Sequence, residues 1–151
     1  MESQVIQTEL ERIENILFNP TNWQPMELTR SWAKSFSTDA GVYMLFEQDK
    51  LVYVGETGSI TGRVTDMLNS RHHTVRRALG EKRLKTVSGY QKATSSINYP
   101  VHIEEMVQKI LSCFKISVMP IAFGRKEFEE YIQSKYSPEL NRKGKRGFIV
   151  K

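Results

Sequence analysis

Residues 53–63 read YVGETGSITGR. Tyr53 and Val54 are strand formers, yet they run straight into Gly55, and Gly58 and Gly62 follow before Arg63. A strand-to-helix connection needs one turn residue and one cap, so three glycines supply more backbone freedom than the connection requires. The surplus implies that something closely approaches the backbone here. Thr57 or Ser59 can cap a helix running to about Ser70.

Working back from this stretch, GVYMLF (41–46) and LVYVG (51–55) are short apolar runs separated by the polar EQDK, the pattern of a β-hairpin. Tyr43 and Tyr53 share a sheet face only if the register allows it. Directly opposed tyrosines need an odd turn such as Glu47-Gln48-Asp49 or a bulge, and a four-residue turn puts them on opposite faces. The odd turn is the expectation.

Further out, Ile6, Leu10, Ile13 and Leu17 recur at helical spacing and predict a packing helix over 3–17 that NPTN stops. The segment around Trp23 and Trp32 has no clean period and reads as an irregular connection with a short helix near 26–35. A short basic helix is predicted at 73–79, with Gly80 as the residue that ends it. TVSGYQKATSSINY (86–99) has the composition of a long loop. Ile103, Met106, Val107, Ile110 and Leu111 predict an amphipathic helix with Pro100 near its first turn. FKISVMPIAF reads as a third strand in which Pro120 implies an edge or a bulge. Phe128, Tyr131 and Ile132 predict a last helix over about 125–136. The sum is a small α/β layer structure.

The chain has 151 residues, enough for one domain with its own core. Its one cysteine, Cys113, excludes an intramolecular disulfide and reads as buried rather than nucleophilic. The opening MESQVIQTEL lacks the order of a secretion signal, and no apolar run approaches the length of a membrane span, so a cytoplasmic, reducing setting without a membrane partner is expected. The net charge of +5 is unevenly distributed. Residues 1–30 are acidic, whereas RHHTVRRALGEKRLK (71–85) and RKGKRGFIVK (142–151) are strongly basic. If the fold joins these two clusters, they form a phosphate-tracking surface.

Gly41-Val42-Tyr43, Tyr53-Val54-Gly55, Arg63, and Glu129 followed by Tyr131, Ile132, Pro138 and Asn141 stand in an order and spacing that resembles the GIY-YIG nuclease family, over about residues 40–141. The resemblance implies an α/β (α+β) fold with a small three-stranded antiparallel sheet flanked by helices. Residues 1–38 then form a helical extension packed on the same domain, 39–151 the nuclease domain, and about 80–112 a helical insertion. The implied activity is a metal-dependent endonuclease hydrolysing phosphodiester bonds in DNA. The alternative is a nucleic-acid binding module that keeps the fold without turnover, and a third reading is a protein-interaction domain using the acidic first helix.

The residue chemistry agrees with hydrolysis. A phosphodiester gains negative charge as water adds, so its site needs a Lewis acid, a fixed cation and a proton acceptor. Glu129 can hold Mg²⁺ or Mn²⁺ while leaving positions for phosphate and water. Arg63 can fork onto phosphate oxygens. The resemblance makes Tyr43 the acceptor of the water proton, with Tyr53 beside it, Asn141 tying the last helix to the site, and His73 or else His72 relaying the proton. Forming a phenolate at neutral pH from a pKa near 10 costs about 4 kcal/mol, which neighbours must offset. Gly55, Arg71, His72, Arg76, Arg77, Lys143 and Arg146 are candidate substrate contacts, and Tyr90 and Tyr99 candidates for stacking on unpaired bases. Glu56 departs from the family pattern, because an acid there repels phosphate unless it pairs with a cation or turns away. His72 and His73 lack the partners of a structural zinc site.

Overall fold

The structure is a computed structural model that describes residues 2–142. Lys143 and Arg146, with the rest of the basic tail beyond Arg142, lie outside the described residues. In chain order the elements are α1 (Glu2–Leu17), a 3-10 turn (Pro20–Asn22), β1 (Gln24–Pro25), α2 (Arg30–Lys34), β2 (Gly41–Glu47) and β3 (Lys50–Thr57), then α3 (Ile60–Asp66), α4 (Thr74–Arg83), α5 (Val101–Leu111), β4 (Lys115–Pro120) and α6 (Arg125–Tyr136). No helix among the described residues is long and apolar enough to cross a membrane.

The sheet has four antiparallel strands in the order β1-β4-β2-β3, one more than expected. The extra strand is the two-residue β1, whose Gln24 and Pro25 pair with Ile116 and Lys115. A strand this short leaves no apolar alternation to read. Pro120 ends β4 beyond the reach of β1, at a position where its missing N–H breaks no ladder.

The hairpin register differs from the expected odd turn. Glu47 pairs with Lys50 across the two residues Gln48 and Asp49, with Gln48 at φ 55°. Phe46 faces Leu51, but Leu45 faces Tyr53, so Val52 is passed over as a bulge. Without that extra residue the alternation would send Tyr43 and Tyr53 to opposite faces. With it, Tyr43 lies opposite Gly55 and shares a face with Tyr53 as a diagonal neighbour. The bulge is braced from outside, since Leu140 N–H donates to the Val52 carbonyl at 3.0 Å.

Two cores flank the sheet. On one face, Tyr43, Leu45, Tyr53 and Ile116 pack with α2, α3, α4 and α5. On the other, Val42, Met44, Phe46 and Val54 pack with Ile13 and Leu17 of α1 and with Phe128 and Ile132 of α6. Glu14 of α1 is buried and accepts hydrogen bonds from Tyr131 (2.6 Å), from Tyr136 and from Lys135 (3.0 Å). Glu14 thus joins α1 to α6, while Glu2, Glu9 and Glu11 of the same helix stay exposed.

Three further expectations are corrected. Cys113 is exposed, on the turn after α5. Gly80 does not end α4, which continues to Arg83. The reason for glycine is external to the helix: a Cβ at Gly80 would come within 2.2 Å of the Tyr99 ring. Tyr99 is 4% exposed and donates to the Arg77 carbonyl, so it is a brace between the segment before α5 and α4 and not a stacking platform. Tyr90 packs beside it and donates to Glu81.

Helix propensity alone says that Gly80→Ala should stabilise by about 1 kcal/mol. The Tyr99 contact reverses that sign, and Gly80→Ala should destabilise by about 1–3 kcal/mol in urea unfolding. A stabilised Gly80→Ala protein would show that Tyr99 does not occupy this space.

Candidate active site

The tyrosine-bearing face gathers four of the side chains singled out in the sequence. Tyr43 and Tyr53 are each 1% exposed, with ring centroids 6.0 Å apart. Gly55 answers for the position of Tyr43. A Cβ there would lie 2.4 Å from the phenol ring and hydroxyl, so glycine is what permits the ring to lie across β3. Gly55 is itself buried and serves Tyr43 rather than a ligand. Gly58, by contrast, meets nothing and is ordinary turn chemistry.

The Tyr43 hydroxyl is 2.9 Å from Nε2 of His73, a residue with no exposed surface. His73 is the N-cap of α4, its Nδ1 accepting the Val75 backbone N–H at 2.9 Å. An accepting Nδ1 carries no proton, so the neutral ring holds its proton on Nε2 and donates to the Tyr43 oxygen. The direction is opposite to the expected relay, because a protonated Nε2 has no lone pair to receive a proton from Tyr43. His72 does not substitute for it. Its exposed imidazole lines a separate cavity with Arg30, Lys34 and Thr65, while its backbone carbonyl accepts from Arg63 at 3.0 Å.

Arg63 is half-buried on α3 and also donates to Asp66 at 3.1 Å. Burial pushes the Tyr43 phenol well above its ordinary range and Tyr53 adds to the shift, with the Arg63 guanidinium pulling it back. Arg63 is thus an electrostatic neighbour of the phenol, held by one carboxylate and one carbonyl. Tyr53 hydrogen-bonds Thr74, the first residue of α4, at 3.1 Å.

Asn141 bridges to β3 like a strand. Its side-chain oxygen accepts from Val54 N–H at 2.9 Å and its amide donates to the Val54 carbonyl at 2.8 Å. This pairing covers the outer edge of β3 between Tyr53 and Gly55.

Glu129 comes from the other layer. It is 1% exposed on α6, whose Phe128 and Ile132 pack on the face opposite the tyrosines. Glu56 points to that face too, by strand alternation, and Arg125 of α6 pairs with it at 3.3 Å. The unusual acid therefore both turns away from the phenols and gains a cation. Among the described residues no group of three or more His, Cys, Asp or Glu side chains could hold a metal. That donor set does not fit a closed all-protein cage, and the carboxylate of Glu129 is of the hard oxygen type that would hold Mg²⁺ or Mn²⁺.

The candidate substrate cations divide. Arg76 is 3% exposed and bonds Ser70, Met67, Gln108 and Glu104, the last at 2.9 Å. It is part of the fold and cannot contact substrate. Arg83, in the same basic run, is taken up by Glu47 and Glu139 at 2.7 and 2.8 Å. Arg71 is exposed. Arg77 is partly buried, donating to the Ser70 and Arg71 carbonyls. Thr74 is missed by motif reasoning, because only the fold places it beside Tyr53.

No protein-family model matches the chain, and no curated protein does. Among solved structures it is similar to the GIY-YIG N-terminal endonuclease domain of UvrC from Thermotoga maritima, a point mutant bound to the catalytic divalent cation. The identity is 13%, 76% of this chain and 94% of that chain are covered, and the TM-score is 0.41. A likeness of this size assigns neither residues nor activity to this chain.

The His73 ring should appear in long-range ¹⁵N–¹H spectra as the tautomer protonated at Nε2, with Nδ1 bare. A proton on Nδ1 would refute the donor assignment and restore the relay.

Proposed function

We propose that the protein is a metal-dependent endonuclease of GIY-YIG type that hydrolyses phosphodiester bonds in DNA. The observation that carries this reading is the Tyr43 hydroxyl 2.9 Å from His73 Nε2, with Arg63 acting on the same phenol. A buried tyrosine with only structural work needs one hydrogen-bond partner. This one is given a donor and a guanidinium, which both favour its ionised form.

In the proposed mechanism, Tyr43 as phenolate takes a proton from the water that attacks phosphorus. The Nε2–H of His73 and the charge of Arg63 stabilise that phenolate before the attack. Arg63 also faces the charge that develops on the phosphoryl oxygens. Tyr53, fixed by Thr74, orients water or phosphate, and Asn141 is a positioning residue that holds β3 at Val54. A divalent cation held by Glu129 would supply Lewis-acid stabilisation of the phosphate and the leaving oxygen.

The burial of Tyr43 favours a second reading, a nucleic-acid binding module without turnover, since a phenol raised this far is a reluctant base. Rates separate the two. With labelled DNA and Mg²⁺ or Mn²⁺, cleavage should occur, stop with chelator, and fall about 10²–10³-fold in Arg63→Ala and Glu129→Gln at unchanged melting temperature. Because the phenolate is the working form and its phenol lies above the ordinary range, the rate should rise about tenfold per pH unit from 7 to 9 without a plateau. Binding that survives both substitutions, with no cutting by the unmodified protein under any metal, would establish the inert module.

A further inference from the structure

A cleft of about 570 Å³ opens beside the tyrosines, between α4, residues 92–95 of the insertion and residues 140–142. Its lining includes Thr74, Arg77, Lys82, Lys92, Asn141 and Arg142. Two of these touch the candidate active site directly: Thr74 bonds the Tyr53 hydroxyl and Asn141 bonds Val54. The cleft therefore begins where the catalytic face ends.

We infer that this cleft seats one unpaired strand of nucleic acid, holding the phosphates next to the scissile one. The inference rests on the nuclease reading for its substrate class and adds which form of nucleic acid the insertion selects.

Charge and size both support it. Lys92 and Arg142 are exposed, and Lys82 donates to the Glu139 carbonyl while its charge also acts on the Glu139 carboxylate. Arg77 feels the cations around it: burial lowers its pKa first, and the like charges of Arg142 and Arg63 lower it further. Four cations on one wall system, one of them in electrostatic contact with Arg63, make a continuous path for phosphates out of the site. The acid in the lining, Glu81, accepts a hydrogen bond from Tyr90. A cleft of this volume is in the range of small-molecule sites and admits about one or two nucleotides of a single strand. A duplex, with a major groove alone about 12 Å wide, requires an open surface instead.

The test is a binding measurement in chelator, so it needs no turnover. Fluorescence anisotropy compares a short labelled oligothymidylate with the same strand annealed to its complement, as a function of salt. The full chain should bind the single strand at least about tenfold more tightly, since the cleft adds contacts that a duplex cannot make. Lys92→Ala and Lys82→Ala should each reduce the single-strand salt slope by about 0.7 and leave the duplex slope unchanged, with Lys92→Arg restoring it. Equal losses for both nucleic acids, or an unchanged single-strand slope in both variants of unaltered melting temperature, would overturn the inference. Cleft-dependent binding without metal-dependent cutting would sink the nuclease reading and leave this one standing; cutting without cleft dependence would do the reverse.

Discussion

The phenol of Tyr43 in the space a side chain at Gly55 would fill is the contact on which the candidate site depends. It exists because Val52 bulges out of β3 and turns Tyr43, Gly55 and Tyr53 to one face. The ring then spans the strand, and its hydroxyl reaches the residue that caps α4. A side chain as small as alanine at Gly55 would push the ring off this path. Position in the sheet, access to His73 and proximity to Arg63 are three consequences of one missing methyl group.

The hairpin, the last helix and the order of the motif residues were legible in the sequence, because each is a local signal. Apolar runs mark β2 and β3, and α6 covers the range that its periodicity predicts. What was not legible depends on residues distant in the chain. Nothing local shows that Gly80 makes room for Tyr99 rather than ending a helix, since both uses of glycine look alike in sequence. The bulge was one of two allowed solutions, and no residue type near Val52 announces it. His73 could be placed near Tyr43 from the motif, yet its hydrogen-bond direction follows from capping α4, which only the backbone reveals.

Charge was the least readable feature. The run 71–85 looks like one basic face, but helical geometry splits it. Arg76 turns inward to Glu104 and Gln108, anchoring α4 to α5, and Arg83 pins the far end of α4 to Glu47 and Glu139. A buried arginine whose donors are satisfied by carboxylate, amide and carbonyl is a structural cross-link, and truncating it leaves an unpaired charge worth about 3–5 kcal/mol of destabilisation. Only the cations between these two anchors, Arg77 and Lys82, face the cleft. Charge counts in sequence cannot separate cross-links from contacts.

Helix α4 joins these threads. Its first turn holds the donor to Tyr43 through the His73 cap and the partner of Tyr53 through Thr74, and its exposed side carries cleft cations. The segment after α4 braces this helix at two places, by Tyr99 against Gly80 and by Glu104 of α5 against Arg76, and its Lys92 lines the same cleft. One segment therefore fixes the distance between the imidazole and the phenol and also shapes the cleft leading away from them. A shift in that brace would move His73 and the cleft lining together, because both belong to α4. On the proposed reading, selection of a substrate form and positioning of the phenolate are properties of the same helix.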